Sequence, residues 1–215
     1  MIYTVTLNPS IDYIVRLDKL VTGITNRTTE EEYYYGGKGI NVSLVLAELD
    51  LDSTAYGFVA GFTGKAIENG IRNDHIITDF IKLKEGISRI NVKIKAGEET
   101  EINCQGPHID ERELERLLQK IDRIASDDTL ILAGSIPKTM PDDVYERMME
   151  RIRFKNVRIV VDATKKLLVN SLKYKPSSSS PTARSCRKSS ASRSRQRRTS
   201  CITPRSCRRW ALATC

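Results

Sequence analysis

The chain has 215 residues and a formal net charge of +8 at pH 7, a length that suggests one or two domains. The charge is uneven: residues 176–215 hold nine Arg, one Lys and no acidic residue, whereas residues 1–175 hold 25 basic and 27 acidic groups. The body contains one cysteine, Cys104, which argues against a disulfide framework and favours a reduced, cytoplasmic location. No apolar run has the length of a membrane span, and the first residues do not form a signal-peptide pattern.

The first part of the chain predicts short strands. Residues 2–7 are β-branched and aromatic and end at Asn8-Pro9, which indicates a core strand. Residues 11–16 alternate in polarity and predict a second strand, and the Thr- and Tyr-rich segment 27–35 favours an extended conformation.

A glycine-rich segment at residues 35–43 holds three glycines within four positions, so its backbone can approach a ligand closely. The apolar run at 40–49 predicts a buried helix that starts near Gly39. Free N–H groups at that helix start would favour an anionic or hydroxyl-rich ligand. No Ser or Thr follows Lys38, so this is not a Walker A loop. On spacing alone, a glycine turn that leads into an ordinary buried helix explains the pattern equally well.

Strands and helices alternate through the rest of the body. Residues 89–94 alternate in polarity and pair across Ala96-Gly97 with residues 99–102, as a hairpin with one face in water. Asp110 and Glu113 have the spacing of a capping box. The remaining strands are predicted at 52–59, 76–81, 129–133 and 157–162, and the helices at 61–71, at 110–124 and from Pro141 to Ile152.

This alternation predicts an α/β fold in which a mostly parallel sheet lies between layers of helices. The amphipathic segments at about 10–16, 28–35 and 89–103 fit poorly into such a sheet and predict a small separate β-lid.

Ligands of parallel sheets bind beyond the carboxyl ends of the strands. Asp12, the loop at 36–41, Ser135 and Asp162 each lie just after a predicted strand. We therefore expect these positions to converge on one site.

Four motifs follow one another along the body: Thr-Leu-Asn-Pro-Ser-Ile-Asp at 6–12, Gly-Gly-Lys-Gly-Ile-Asn-Val at 36–42, Ala-Gly-Ser-Ile-Pro at 133–137 and Val-Asp-Ala-Thr at 161–164. Together they resemble the ribokinase-like, PfkB-type sugar kinases, above all the 1-phosphofructokinase and tagatose-6-phosphate kinase branch. The resemblance covers Met1 to about Lys175. It implies an α/β sandwich with a β-lid that often forms a dimer contact, and transfer of the γ-phosphoryl group of MgATP to a sugar-phosphate hydroxyl.

The resemblance also implies a sugar site. Asp12 would accept hydrogen bonds from sugar hydroxyls, and Gly37, Lys38 and Asn41 would line the site. Asp12 has a simpler explanation as a turn former at a strand end. Asp162 is expected to shape its strand end rather than to touch the substrate.

By the same resemblance, Arg27 and Arg89 on lid strands, together with Ser135, would hold the phosphate of the sugar. Arginine suits phosphate because its planar fork donates two parallel hydrogen bonds. The alternative is that both arginines are solvated charges on the lid.

ATP and Mg²⁺ are expected from the resemblance, yet their sites are largely missing here. Beyond Lys175 a family member would carry an Asn-x-x-Glu segment for magnesium and phosphate, and later a Gly-x-Gly-Asp motif with the catalytic base; neither occurs in this chain. Phosphoryl transfer depends on positioning and electrostatic stabilisation. We therefore assign no catalytic or metal-binding residue, and we expect no appreciable kinase activity from the 215 residues as written.

Residues 176–215 form a basic Ser/Arg-rich tail with three open interpretations: a nucleic-acid or acidic-surface binder, a disordered extension, or an out-of-frame translation. Codons that permit residues 177–182, read one nucleotide earlier, can give Phe-Leu-Ile-Lys-Pro-Asn, the stretch that the resemblance predicts next. Residues 201–211, shifted likewise, can give an amphipathic helix. A frameshift near Pro176 is therefore our prediction. The single aromatic residue, Trp210, gives base stacking by the tail little support.

The function that the resemblance implies is ATP-dependent phosphorylation of fructose 1-phosphate to fructose 1,6-bisphosphate. The chain as written is expected to be truncated and inactive. Tagatose-6-phosphate kinase is the alternative within the class, and nucleic-acid binding through the tail is the alternative outside it. The predicted partners are the sugar phosphate and, through the lid, a second copy of the chain, with no membrane. Without the family's carboxyl-terminal part, the last body strand should have an exposed apolar edge.

Overall fold

The computed structural model describes residues 1–162 and the backbone of a two-residue strand, Ser178–Ser179. The chain divides into two units, Met1–Thr182 and Ala183–Cys215, and every described residue belongs to the first. Except for that short strand, the predictions for the basic tail lie outside the described residues.

The described residues alternate between strands and helices along most of the chain. In order they form β1 (Ile2–Thr6), β2 (Ser10–Arg16), β3 (Glu30–Gly36), α1 (Lys38–Glu48), β4 (Ser53–Ala60), α2 (Gly61–Gly70), β5 (Ile76–Thr78), β6 (Ile81–Leu83), β7 (Arg89–Ala96), β8 (Glu98–Asn103), α3 (Glu111–Ile121), β9 (Thr129–Ala133), α4 (Val144–Ile152), β10 (Arg158–Asp162) and β11 (Ser178–Ser179).

The larger sheet is parallel, as the alternation of strands and helices predicts. Its strand order is β11-β10-β9-β1-β4-β5, and β6 also pairs with β4. All eight residues of β4 are buried, because helices cover both faces of the sheet and leave a central strand no solvated side.

Two apolar layers hold the helices on the sheet. One layer packs α3 and α4 on one face, and Leu117, Met148 and Phe58 are buried in it. The other packs α1 and α2 on the opposite face, with Ile40 and Ile67 fully buried. This is the predicted sandwich.

A second, four-stranded sheet lies beside the sandwich, in the order β3-β2-β7-β8. Strands β2 and β7 pair in parallel, and β3 and β8 extend the sheet by antiparallel pairing. Every residue of β8 is exposed. We call these four strands the lid sheet; they correspond to the amphipathic segments that the sequence sets apart from the main sheet.

Several local predictions are wrong in detail. Helix α1 is buried along one side only, and Val45 and Leu49 are 45% and 63% exposed, so the apolar run at 40–49 does not make a fully buried helix. Helix α4 begins at Val144 rather than at Pro141. The segment 76–81 is not one strand, because β5 ends at Thr78.

The edge of β10 is not entirely bare. Ser178 and Ser179 pair with Val160 and Val161 in parallel, which corrects the expectation that this strand has no neighbour. Among the described residues, the pairing covers two of the five residues of β10. In the part of the chain that the structure describes, no helix is long and apolar enough to cross a bilayer.

Half of the predicted capping box forms at α3. Asp110 is the N-cap, and its Oδ1 accepts a hydrogen bond of 2.8 Å from the backbone N–H of Glu113. The Glu113 carboxylate instead accepts a hydrogen bond of 2.6 Å from Arg116. By contrast Asp143, the N-cap of α4, accepts no capping bond with its side chain.

This difference makes a stability prediction. Asp110→Ala removes a capping acceptor and should lower the free energy of unfolding by about 1 kcal/mol, whereas Asp143→Ala should lower it by clearly less. Urea unfolding of both variants measures the two losses. Equal losses would mean that the Asp110 side chain does not cap α3.

Candidate active site

The glycine loop lies directly on the carboxyl end of β1. Gly37 has a φ of 131°, and a Cβ there would overlap Cγ2 of Thr6. A Cβ on Gly39 would lie 2.6 Å from the carbonyl oxygen of Val5. The hydroxyl of Thr6 accepts a hydrogen bond of 2.9 Å from the N–H of Ile40, which satisfies one of the free donors at the start of α1.

Lys38, Gly134 and Asp162 meet at the carboxyl ends of β9 and β10. The ammonium of Lys38 lies 3.3 Å from Oδ2 of Asp162, and the N–H of Gly134 donates to the carbonyl oxygen of Asp162 at 3.0 Å. Ser135 follows Gly134 and is exposed. The structure thus brings Lys38, Ser135 and Asp162 to one end of the sheet.

Asp12 is the centre of a polar cluster on the lid sheet. Its Oδ1 accepts hydrogen bonds from Ser10 Oγ at 2.9 Å and from Asn91 Nδ2 at 2.8 Å. The ammonium of Lys93 lies 3.2 Å from Oδ2. Burial raises the pKa of Asp12, but the hydrogen bonds from Asn91, Ser10 and Lys93, with the charge of Lys93, outweigh burial and hold that pKa below its ordinary value.

Arg89 shares this cluster, because it pairs with Ser10 across β2 and β7. Burial lowers the pKa of the Arg89 guanidinium, and the charge of Asp12 opposes that effect. A guanidinium stays protonated in proteins, so Arg89 is a partly buried cation. Its Nε is buried and has no hydrogen-bond partner within the described ranges. A cation with an unused donor is suited to an anionic ligand.

The glycine loop connects the Asp12–Arg89 cluster on the lid sheet to the group formed by Lys38, Ser135 and Asp162. Gly36, which opens the glycine loop, pairs with Ser10 in the lid sheet, and a Cβ on Gly37 would lie 3.4 Å from Cα of Pro9. Asn41 is exposed, with its Oδ1 3.6 Å from the position of a Cβ on Gly36.

Arg27 does not join them. It is exposed in the loop between β2 and β3, so the prediction that it lies on a lid strand is wrong. The loop is closed by its own bonds: Asn26 donates to the carbonyl oxygen of Val21, and the N–H of Thr29 donates to that of Arg16. Arg89 lies beside Ser10, at the opposite end of a seven-residue strand, and a strand of that length spans roughly 20 Å.

Comparison with known proteins identifies the family. The model of the pfkB family carbohydrate kinases matches residues 5–176. The chain belongs to this family. It is 44% identical over 176 residues to 1-phosphofructokinase of Bacillus subtilis and 41% identical to D-tagatose-1-phosphate kinase of Bacillus licheniformis, and each alignment covers 82% of this chain and 58% of the relative. The chain therefore spans little more than half the length of these curated relatives.

Solved structures agree with the family. A Staphylococcus aureus protein, described provisionally as a phosphofructokinase, is 46% identical and superimposes with a TM-score of 0.77, over 84% of this chain and 59% of that one. Ribokinase of Thermotoga maritima is 18% identical, with a TM-score of 0.58 over 75% of this chain and 52% of that one. The second comparison shows the ribokinase-like fold alone.

Kinases of this family usually use Mg²⁺, which is commonly held by one or two carboxylates together with substrate phosphates. Within residues 1–162 no group of three or more His, Cys, Asp and Glu could hold a metal ion, and the carboxylate of Asp162 is paired with Lys38. We therefore derive no step through the metal ion or the nucleotide.

Sequence reasoning missed Asn91 and Lys93, the two β7 residues that contact Asp12. The strict alternation from Arg89 to Ile94 places Asn91 and Lys93 on the same face as Arg89. What the pattern does not reveal is that β7 lies beside β2, because they are separated by more than seventy residues of chain and belong to different motifs.

Because the pKa of Asp12 is lowered in the fold, the free energy of unfolding depends on pH in the acidic range. An Asp carboxyl ionises near pH 3.9 in the unfolded chain, so a lower pKa in the fold gives a stabilisation that is complete above that pH and is lost as the pH falls below it. Asp12→Asn should therefore show a weaker loss of unfolding free energy between about pH 4 and pH 3 than the unmodified chain.

Urea unfolding across that pH range measures the difference. Asp18→Asn, at an exposed position in the loop after β2, is the control and should keep the slope of the unmodified chain. An unchanged slope in Asp12→Asn would contradict the electrostatic account of the cluster.

Proposed function

We propose that the body of this chain is the sugar-phosphate-binding part of a kinase that converts fructose 1-phosphate to fructose 1,6-bisphosphate with MgATP. The observation that carries the proposal is the Asp12–Arg89 cluster: an ionised carboxylate and a partly buried, incompletely paired guanidinium lie side by side on the lid sheet. One group suits hydroxyls and the other suits phosphate.

The roles follow from these chemistries. Asp12 accepts hydrogen bonds from the sugar hydroxyls and so orients the sugar. The backbone of Gly37 allows a ligand to approach the start of α1 closely, with Lys38 and Asn41 beside it. Arg89 donates to the phosphate, and Ser135 offers a hydroxyl at the end of β9.

The proposal does not include Arg27 among the phosphate-binding residues of the same chain. Arg27 lies beyond the end of β2 that is far from the Asp12–Arg89 cluster, so within one chain Arg89 and Ser135 bind the phosphate.

We further propose that the 215 residues as written bind the sugar phosphate but do not phosphorylate it. The Gly-x-Gly-Asp motif that carries the base in the resemblance does not occur in these 215 residues, and 58% of each relative is matched. Without that motif, the electrostatic stabilisation that dominates phosphoryl transfer is lacking.

Binding and turnover of fructose 1-phosphate test these statements. In calorimetric titration the purified chain should bind fructose 1-phosphate, and Arg89→Ala should weaken binding about tenfold or more, because a charge-assisted hydrogen bond is lost. Arg72→Ala, at an exposed arginine, should change nothing. No binding by the unmodified chain would overturn the proposal, and turnover with MgATP would overturn the statement that this chain is inactive.

Sequencing of the gene across codons 170–182 tests the proposed frameshift. A single missing or extra nucleotide there, relative to the printed reading frame, would make residues 176–215 an artefact. The corrected protein should then phosphorylate fructose 1-phosphate. A confirmed reading frame would mean that the basic tail is a genuine part of the protein.

A tagatose phosphate is the second candidate substrate, as one relative is named D-tagatose-1-phosphate kinase. Tagatose 6-phosphate is the substrate that the tagatose-6-phosphate kinase interpretation requires. Competition by tagatose 1-phosphate, tagatose 6-phosphate and fructose 1-phosphate for the same site ranks the three.

A homodimer through the lid sheet is supported by a row of side chains on the face opposite Asp12. Register places Tyr33, Tyr13, Val92 and Ile102 side by side across all four strands. Tyr33 is 61% exposed and Ile102 is 53% exposed. Tyr13 and Val92 between them are partly exposed, and a contiguous row of apolar and aromatic side chains that is open to solvent is typical of an interaction surface.

Sedimentation velocity tests the dimer. The chain should sediment as a dimer, and Ile102→Glu should shift it to monomer, because a charge would be buried in the contact. Ile77→Glu, at an isoleucine that is 55% exposed on β5 of the main sheet, is the matched control and should remain dimeric. A chain that is monomeric at every concentration would contradict the proposal.

A further inference from the structure

Asn91 is a deeply buried member of the Asp12 cluster. It is 5% exposed and lies on β7 directly opposite Asp12 on β2. Its Nδ2 donates a hydrogen bond of 2.8 Å to Oδ1 of Asp12. This is the shortest of the hydrogen bonds and ion pairs that Asp12 makes with Ser10, Asn91 and Lys93.

The chemistry of Asp12 fixes which way the amide points. An ionised carboxylate only accepts hydrogen bonds, so the Asn91 nitrogen must face it and the amide oxygen must face away. That oxygen, Oδ1 of Asn91, is buried and has no partner in the described part of the chain. A buried acceptor without a partner destabilises a fold.

An apolar side chain at position 91 would avoid this cost. Side chains alternate along a strand, so Asn91 shares its face of β7 with Arg89 and Lys93, whereas Ile90, Val92 and Ile94 lie on the other face. On this polar face, the bond to Asp12 accounts for an amide at position 91.

We propose that Asn91 is a positioning residue that holds the Asp12 carboxylate in one orientation for the hydroxyls of the bound sugar phosphate. The inference rests on the proposed function. It adds a residue that strengthens binding of the sugar hydroxyls without affecting binding of the phosphate group. Asn91 acts through Asp12, and Arg89 binds the phosphate independently.

The groups around Asp12 explain why one amide matters. Lys93 and Arg89 approach Asp12 from β7, Ser10 shares β2 with it, and Tyr34 is its neighbour on β3. Asn91 and Ser10 both bond Oδ1, whereas Lys93 binds Oδ2. Without Asn91 the carboxylate keeps the Lys93 contact and loses the shorter of the two hydrogen bonds on its other oxygen, so Ser10 alone holds that oxygen against rotation toward Lys93.

The test compares two asparagines that face each other. Asn103 pairs with Asn91 across β7 and β8, is exposed, and bonds to Glu101 at 3.3 Å. Asn91→Ala should weaken fructose 1-phosphate binding about tenfold and leave inorganic phosphate binding unchanged. Asn103→Ala should change neither. Thermal unfolding of both variants monitors the fold.

A double-mutant cycle with Asp12→Ala separates positioning from a general structural effect. If Asn91 acts through Asp12, adding Asn91→Ala to Asp12→Ala causes no further loss of sugar-phosphate binding. Independently of any ligand, Asn91→Ala should raise the pKa of the Asp12 carboxyl in an NMR titration, because a hydrogen bond to the charged form is removed. The same titration of Asn103→Ala should reproduce the unmodified chain.

The outcomes distinguish the two levels of the account. Fructose 1-phosphate that fails to bind the unmodified chain overturns the proposed function, and the role of Asn91 with it. Normal binding with equal affinities in Asn91→Ala and Asn103→Ala overturns the role of Asn91 alone. Additive losses in the double mutant, or equal loss of inorganic phosphate binding, also overturn it.

Discussion

The contact of the glycine loop with the end of β1 is the constraint on which the site depends. Thr6 caps the N–H of Ile40, and the absence of side chains at Gly37 and Gly39 lets α1 begin against the backbone of Val5 and the side chain of Thr6. Any larger residue would push the helix away from the sheet. Because β3 enters this loop directly, the same contact also fixes where the lid sheet joins the sandwich.

From that junction, polar groups extend in two directions. Toward the main sheet, Lys38 reaches Asp162 and lies beside Gly134, so the loop is tied to the ends of β9 and β10. Toward the lid sheet, Ser10 starts the strand that carries Asp12. A sugar phosphate has both hydroxyls and a charged group, and the two groups of residues supply carboxylate acceptors and cations.

Much of the fold follows from the sequence because local pattern and burial agree. Strands β9 and β10 contain short apolar runs, β1 and β4 combine β-branched and aromatic residues, and the stripe of α3 is regular. The motifs that carry the family resemblance lie at strand ends, so the sequence also predicts Asp12, Lys38 and Ser135 as site residues. The alternation of polar and apolar residues from Arg89 to Ile94 predicts that Arg89 lies on the polar face of its strand.

Other features depend on long-range pairing, which no local pattern contains. Asn91 and Lys93 contact Asp12 because β2 and β7 pair in parallel. Arg27 was misplaced because threonine-rich sequence favours extended structure, whereas Asn26 instead folds the segment back through side-chain bonds to the backbone. Helix α1 has apolar residues on its exposed side, and hydrophobicity alone therefore overestimates its burial.

A crystal structure of the chain with fructose 1-phosphate tests the central claim most directly. The account predicts the ligand phosphate within hydrogen-bond distance of the Arg89 guanidinium and a sugar hydroxyl on the Asp12 carboxylate, next to the loop at 36–41. A ligand bound elsewhere, or a phosphate on the opposite side of the lid sheet, would contradict the account.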